Sequence, residues 1–156
     1  MLSRSRAASW FMIPLLLLVC WLGARSLNAD ALWYDEWWSI YTSGGAHSGP
    51  LTLDALLERA ASQPWQPPAH YVLLAGWGAV AGWTPFVLRA VSLFAGILTV
   101  AAVFRMGRDM AARSDDQRLS GLVGLAAAAM IGSSAFFVFY LHEIRTYSLH
   151  ALFTAL

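Results

Sequence analysis

The chain has no lysine and only one cysteine, and its supply of charge is thin. Charged residues make up 12% of its 156 positions, about half of what an ordinary soluble domain carries. With 58% hydrophobic residues and a mean hydropathy of +0.55, the sequence cannot furnish the surface of a soluble globule. Its ten basic residues are all arginine and face nine acids, for a net charge of +1. That balance excludes a nucleic-acid partner held by bulk electrostatics, which needs a clustered basic excess. Cys20 sits alone in an apolar run and has no second cysteine with which to form an internal disulfide. The Leu18-Val19 before it does not resemble a lipoprotein processing site. There is no Gly-rich nucleotide loop, no metal-spaced His/Cys cluster and no Ser/His/Asp set. No cofactor is therefore expected, and participation of a divalent metal stays open.

What the sequence does have is a series of uncharged apolar runs. After Arg4 and Arg6, the run Ala7–Ala24 predicts a membrane span over 8–26. Seventeen or eighteen helical residues reach about 26 Å, just enough for a hydrocarbon core of roughly 30 Å with snorkelling flanks. A signal peptide cleaved at Ala29-Asp30-Ala31 is the competing reading, but the apolar stretches that follow favour a retained helix. Further spans are predicted over 86–104, 119–141 and 146–156. The last stops with the sequence after eleven residues, as expected of a piece of a longer protein. The expected fold class is all-α, a polytopic integral membrane protein.

Residues 28–68 form an extramembrane loop by composition, with Asp30, Asp35, Glu36, Asp54, Glu58 and Arg59, a Ser43-Gly44-Gly45 break, and Pro64, Pro67 and Pro68. Within it Leu53, Leu56, Leu57 and Ala60 share one helical face, opposite Asp54 and Glu58. That pattern suits a helix lying on the membrane surface or packed on a neighbouring domain. Stretch 69–85 is uncharged, but Gly76, Gly78, Gly82, Trp77, Trp83 and Pro85 make it a poor span. An interfacial or re-entrant helix there leaves Arg4, Arg6, Arg105, Arg108, Arg113 and Arg118 on one side, which the positive-inside rule assigns to the cytoplasm. Asp115-Asp116 then belong to a solvated cytoplasmic turn. The same topology puts Asp35, Glu36, His70, Arg89, Glu143, Arg145 and Tyr147 together outside.

Four segments carry candidate chemistry. In Leu32-Trp33-Tyr34-Asp35-Glu36-Trp37-Trp38-Ser39 two adjacent acids sit among aromatics. Burial raises a carboxylate's pKa and a cation lowers it, so one acid is a candidate general base, and tryptophan beside acid suits a sugar ring. The alternative is an aromatic interface belt with two solvated acids. Gln63-Pro64-Trp65-Gln66-Pro67-Pro68-Ala69-His70-Tyr71 is a rigid, proline-fixed helix entry, with His70 and Tyr71 as donors to phosphate or sugar oxygens, or His70 simply as a polar cap. Arg89 opens an apolar run and either snorkels or binds an anion with its fork. In His142-Glu143-Ile144-Arg145-Thr146-Tyr147 the Glu and Arg, two apart, do not face each other on a helix. They point to different partners or merely mark the water boundary.

In this order, Trp33-Tyr34-Asp35-Glu36, Pro67-Pro68-Ala69-His70-Tyr71, Arg89-Ala90-Val91-Ser92-Leu93-Phe94-Ala95-Gly96 and Glu143-Ile144-Arg145-Thr146-Tyr147 resemble the start of a GT-C glycosyltransferase. The branch is family 39, with the protein O-mannosyltransferases and the lipid A aminoarabinose transferase. The resemblance implies GT-C-like transmembrane helices and transfer of a sugar from a polyprenyl-phosphate donor. The acceptor hydroxyl would belong to a glycan, lipid or protein, on the outer face of the plasma membrane. It implies Asp35 as catalytic base and Glu36 as its assistant. Arg89 and Arg145 would steady the phosphate, and Trp33, Tyr34, His70, Tyr71, Glu143 and Tyr147 would line the substrate site. The family pattern His-Pro-Pro-Leu is Gln66-Pro67-Pro68-Ala69 here, with the histidine shifted to position 70. Family enzymes are several hundred residues long, so this stretch is expected to be an inactive part of the whole. The rival expectations are a non-catalytic subunit binding lipid or a partner protein, and a transporter component with Glu143 and Arg145 on its path.

Overall fold

The computed structural model describes residues 4–28, 31–45, 50–63, 66–112 and 117–156. Ala29-Asp30, Pro64-Trp65, and Arg113, Asp115 and Asp116 of the basic turn lie outside the described residues, as do the side chains of Arg4 and Arg6. Every regular element is an α-helix, and no strand occurs among the described residues. In chain order these are α1 (Arg4–Ala24), α2 (Tyr34–Thr42), α3 (Leu53–Ala61), α4 (Pro68–Ala81), α5 (Pro85–Ala111), α6 (Gln117–Gly132), α7 (Ala135–Tyr140) and α8 (Tyr147–Ala155).

Among the described residues one helix, Pro85–Ala111, is by length and composition apolar and long enough to cross a membrane, and Ala8–Ala24 and Arg118–Gly132 are shorter apolar helices. It begins on a capping Thr84, whose hydroxyl accepts from Val87 N–H at 3.4 Å, with Pro85 in the first turn. Proline suits that position because its missing N–H would be unsatisfied there anyway. The helix runs past the expected boundary at 104, since Arg105 and Arg108 are good helix formers and charge alone does not end a helix.

The span expected over 119–141 is two helices instead of one. Gly132, Ser133 and Ser134 interrupt it: the Ser133 N–H and hydroxyl both return to the Ala129 carbonyl, at 3.0 and 2.7 Å, and Ser134 is extended. Serine at a helix end competes for the backbone in this way. The 69–85 stretch forms the 14-residue α4, which ends at Gly82 with a φ of 106° that only glycine adopts without strain. The 28–68 segment contains α2 and α3. In α3, Leu56 and Ala60 are buried against Tyr71 of α4, whereas Leu53 and Leu57 stay exposed. The amphipathic face is thus divided between packing and surface.

Helices α1, α5, α6–α7 and α8 alternate in direction. The Leu27 carbonyl just beyond α1 meets Arg89 near the start of α5 at 3.1 Å. Ser120 in α6 donates to the Arg108 carbonyl near the end of α5 at 2.8 Å. Ser92 in α5 then donates to the Glu143 carbonyl beyond α7. Their shared core contains Met12, Val19, Leu93, Val100, Ala128, Phe137 and Leu141. Helices α2, α3 and α4 cap the end where α5 begins, around Ile40, Leu74, Leu88, Val91 and Ile144. Full burial of a side chain such as Leu74 or Leu88, relative to leaving it in water, stabilises the cap by about 1.5–3 kcal/mol. All described arginines of the α5–α6 turn, and the first turn of α1, fall at the far end.

Helices α5 and α6 touch backbone to backbone where two glycines meet. A Cβ on Gly124 would lie 2.5 Å from the Phe104 carbonyl oxygen, and one on Gly107 would lie 3.0 Å from Gly124 Cα. Gly124→Ala is therefore expected to lower the melting temperature, with an overpacking cost of about 1–3 kcal/mol. Gly76→Ala, with no atom within 4 Å of its new Cβ, should raise it through helix propensity, by up to about 1 kcal/mol. Thermal unfolding in detergent compares the two, and equal shifts would rule out the close crossing.

Candidate functional site

The capped end of the bundle gathers most of the charge that the described residues bury. Glu36 and Arg89 are almost wholly buried, at 0% and 2% exposure. Arg89 grips Glu36 bidentately, Nε to Oε1 at 2.8 Å and Nη2 to Oε2 at 2.6 Å. Its remaining N–H groups reach the carbonyls of Leu27 at 3.1 Å and Ala31 at 3.4 Å. Glu36 Oε1 also accepts the Ile144 N–H at 3.0 Å. One ion pair thus ties α2, the turn after α1, the start of α5 and the 141–146 linker together. A fork-to-carboxylate pair is among the stronger protein hydrogen bonds, and the guanidinium expected to steady a phosphate is already engaged by protein.

Successive residues on a helix point about 100° apart, so Asp35 leaves α2 in a different direction from Glu36. Its carboxylate is 36% exposed and pairs with Arg145 Nη1, at 3.3 Å. Around it opens a cavity of about 340 Å³ lined by Tyr34, Asp35, Trp38, Gln63, Gln66 and Arg145. Tyr34 stacks on Trp38 with ring centroids 6.2 Å apart, and Tyr71, fully buried, donates to Gln66 Oε1 at 3.0 Å. Arg145 also lies over the Tyr147 ring at 5.6 Å. Aromatic faces, amide groups, one carboxylate and one guanidinium form a surface suited to a polyhydroxylated, partly anionic ligand.

Glu36 and Arg89 face a second cavity, of about 300 Å³, together with Trp33, Phe139 and Glu143. Burial, and then the charge of Glu36, push the Glu143 carboxyl up from 4.5 to about 7, against the pull of Arg145 and Arg89. His70 lines neither cavity. It is buried beside the Tyr71 ring, with neither nitrogen hydrogen-bonded among the described residues. Burial, with Arg145 and His150 adding to it, holds its pKa down from 6.5 to about 3. Burial also raises the Tyr71 hydroxyl above its ordinary value. A larger hollow, about 690 Å³, lies at the other end of α5 between Ala102–Met110 and Thr154–Leu156. Its charges are the exposed Arg105–Asp109 pair, so it offers no preorganised group.

The structure therefore brings together Asp35, Tyr34 and Arg145 in one cavity and Glu36, Arg89, Glu143 and Trp33 in the other. His70, Tyr71 and Tyr147 support the walls. Sequence reasoning did not single out Gln63, Gln66 or Trp38 around Asp35, nor Phe139 and His142 around Glu143. The signal for the glutamines was their flanking of the proline-rich helix entry. Among the described residues no group of three or more His, Cys, Asp or Glu side chains converges to hold a metal ion. Compared with protein-family models, curated proteins and solved structures, the chain gives no match.

Removing one partner of the buried pair leaves a bare charge inside, which costs about 3–5 kcal/mol. Arg89→Ala or Glu36→Ala is expected to destabilise by that amount in thermal unfolding, and Glu36→Ala combined with Arg89→Met by clearly less than the sum.

The two shifted groups give a pH profile with opposite limbs. The unfolded chain protonates His70 below its ordinary 6.5, whereas the folded protein resists until about 3, so stability falls on acidification through that window. The folded protein holds the Glu143 proton up to about 7, whereas the unfolded chain releases it above 4.5. That contribution is complete below 4.5 and lost as pH rises through 7. Each limb slopes by up to about 1.4 kcal/mol per pH unit. Melting temperature should rise with pH from about 3 to 4.5, stay level where the two windows overlap between 4.5 and 6.5, and fall toward about 7, with His70→Leu removing the rise and Glu143→Gln the fall.

Proposed function

We propose that the chain is a multi-pass membrane segment forming the outer-face, catalytic end of a glycosyltransferase that uses a polyprenyl-phosphate-linked sugar, as its GT-C-like motifs imply. Supporting the membrane setting are large apolar side chains left on the outside of the bundle: Phe11, Leu17 and Trp21 on α1, Phe94 and Leu98 on α5, Leu122 on α6, Phe136 on α7 and Phe153 on α8. An exposed apolar surface of this extent needs lipid or protein to cover it. At the far end Arg105, Arg108 and Arg118 outnumber Asp109 among the described residues, which agrees with an inside that is positive.

The observation that carries the catalytic reading is Asp35. Of the two adjacent acids it is the half-exposed one, set in a cavity beside Arg145 at 3.3 Å. In the proposed reaction the acceptor hydroxyl gives its proton to the Asp35 carboxylate as its oxygen attacks the anomeric carbon. The bond from that carbon to the phosphate oxygen breaks, polyprenyl phosphate leaves with the electron pair, and the anomeric configuration inverts. Arg145 offsets charge developing on the leaving phosphate, and preorganised charge of this kind is worth several kcal/mol of barrier. Tyr34, Trp38, Gln63 and Gln66 hold the sugar and acceptor hydroxyls. Glu36 fixes the first turn of α2 and so the direction of Asp35. The partners are the lipid-linked donor and an acceptor glycan, lipid or protein, and nucleic acid has no place here.

Asp35→Asn keeps the shape and removes the base. In membranes containing the whole protein, transfer from polyprenyl-phosphate sugar is expected to fall by about 10²–10⁴-fold. The melting temperature should change little, because a part-exposed pair contributes at most about 1 kcal/mol. Retained transfer would remove Asp35 from the mechanism, and membrane insertion without transfer in either protein would turn the reading toward a lipid-binding subunit or transporter component. Topology is read separately on a Cys20→Ser background. Leu32→Cys should label with an impermeant thiol reagent from outside and Met110→Cys should not, and the reverse pattern would place the site in the cytoplasm.

A further inference from the structure

The proposed transfer makes no use of the second cavity, the one of about 300 Å³ beside Glu36 and Arg89. One of its walls contains a buried polar group without a hydrogen-bond partner among the described residues. The Glu143 side chain is 6% exposed, and its buried Oε2 has no hydrogen-bond partner among the described residues. The side chain cannot easily swing away, because the Glu143 carbonyl is held by the Ser92 hydroxyl and the flanking Ile144 N–H by Glu36. Native structures rarely leave a buried carboxyl oxygen without a donor, so the position calls for a donor from a ligand.

The surrounding charges select that donor. Glu143 is faced by Glu36 and Asp35 from α2, by Arg89 from α5, and by His142 and Arg145 from its own linker. Arg89 is matched bidentately by Glu36, and Arg145 is paired with Asp35, so Glu143 is the surplus anion. A phosphate or carboxylate ligand would meet repulsion from it. A divalent cation would lack ligands, since no three acid or His side chains converge among the described residues. Trp33 and Phe139 line the same cavity, and aromatic faces attract cations without needing a second charge.

We propose that this cavity binds a small primary ammonium group, whose –NH3⁺ donates to the Glu143 carboxylate between Trp33 and Phe139. The site is independent of the transferase reading and is tested without measuring transfer. Binding requires Glu143 ionised, and burial has pushed that carboxyl up to about 7, so the ammonium enters as the proton leaves. Affinity should then rise about tenfold from pH 6 to pH 8.

The probe is ethylammonium, titrated against the full chain in phosphatidylglycerol nanodiscs, with thermal unfolding as the readout. Ethylammonium should raise the melting temperature, half-saturating at about a tenfold lower concentration at pH 8 than at pH 6, while ethanol leaves it unchanged. Glu143→Gln should abolish the response, and Phe139→Leu, which keeps an apolar wall without the ring, should weaken it several-fold. Repetition in phosphatidylethanolamine nanodiscs separates the two sources of the group. If the lipid headgroup supplies it, the protein starts out stabilised and added ethylammonium does nothing more, whereas an undiminished response identifies a soluble amine. No response in phosphatidylglycerol at pH 8, or an equal response from Glu143→Gln, overturns the proposal.

Discussion

The Glu36–Arg89 pair is the contact on which the capped end of this protein depends. Four chain segments far apart in sequence converge on it, and two of them, the loop after α1 and the 141–146 linker, have no regular hydrogen-bond ladder of their own. The loop after α1 offers accepting carbonyls, α2 an accepting carboxylate, the 141–146 linker a donating amide N–H, and α5 the donating guanidinium. Desolvating two charges is costly, and the attraction between them repays that cost only when the geometry and the surrounding hydrogen bonds are good. Here the carboxylate accepts three donors and the guanidinium finds backbone carbonyls as well. Such a pair specifies a single arrangement more than it adds stability, because a wrong arrangement leaves a charge stranded.

That specificity is transmitted to the neighbouring residue. With Glu36 fixed inward, the helical turn leaves Asp35 pointing out toward Arg145, Gln63 and Gln66. Two chemically similar acids thereby acquire different surroundings, one saturated with donors and the other open to a ligand. The linker obeys the same logic. Leu141, fully buried, sits against Gly23 and Gly96, where a Cβ would collide with it, and this notch seats the segment that carries Glu143 and Arg145.

Much of the fold was legible because its signals are periodic or punctuating. The apolar runs pointed to the helices of the bundle and Pro67-Pro68 to the start of α4, whereas the end at Gly82 and the start at Thr84-Pro85 were not legible, because the uncharged 69–85 stretch reads as a single helix. The break at Gly132-Ser133-Ser134 escaped because hydropathy counts serine as merely uncharged, whereas its hydroxyl competes for backbone carbonyls. The site residues were legible as a set, since polar groups in so apolar a chain stand out. Their division was not, because nothing in Asp35-Glu36 says which acid turns inward until Arg89, 53 residues away from Glu36, is placed beside it. Gln63 and Gln66 stayed hidden for a related reason: a neutral amide acquires meaning only from the cavity that it faces.

The position of Arg89 in α5 has a further consequence for the surrounding bilayer. From Arg89 to Arg105 the helix rises only about 24 Å, less than a hydrocarbon core of roughly 30 Å. Arg105 is exposed and its side chain can extend toward water, but Arg89 is buried and clamped. In the proposed setting that shortfall would not thin the lipid, because the Arg89 charge is enclosed by protein and matched by Glu36 and so never meets hydrocarbon. The capped end would then sit at headgroup depth without an exposed charge in the core, and a lipid-linked donor would approach Asp35 sideways within its leaflet.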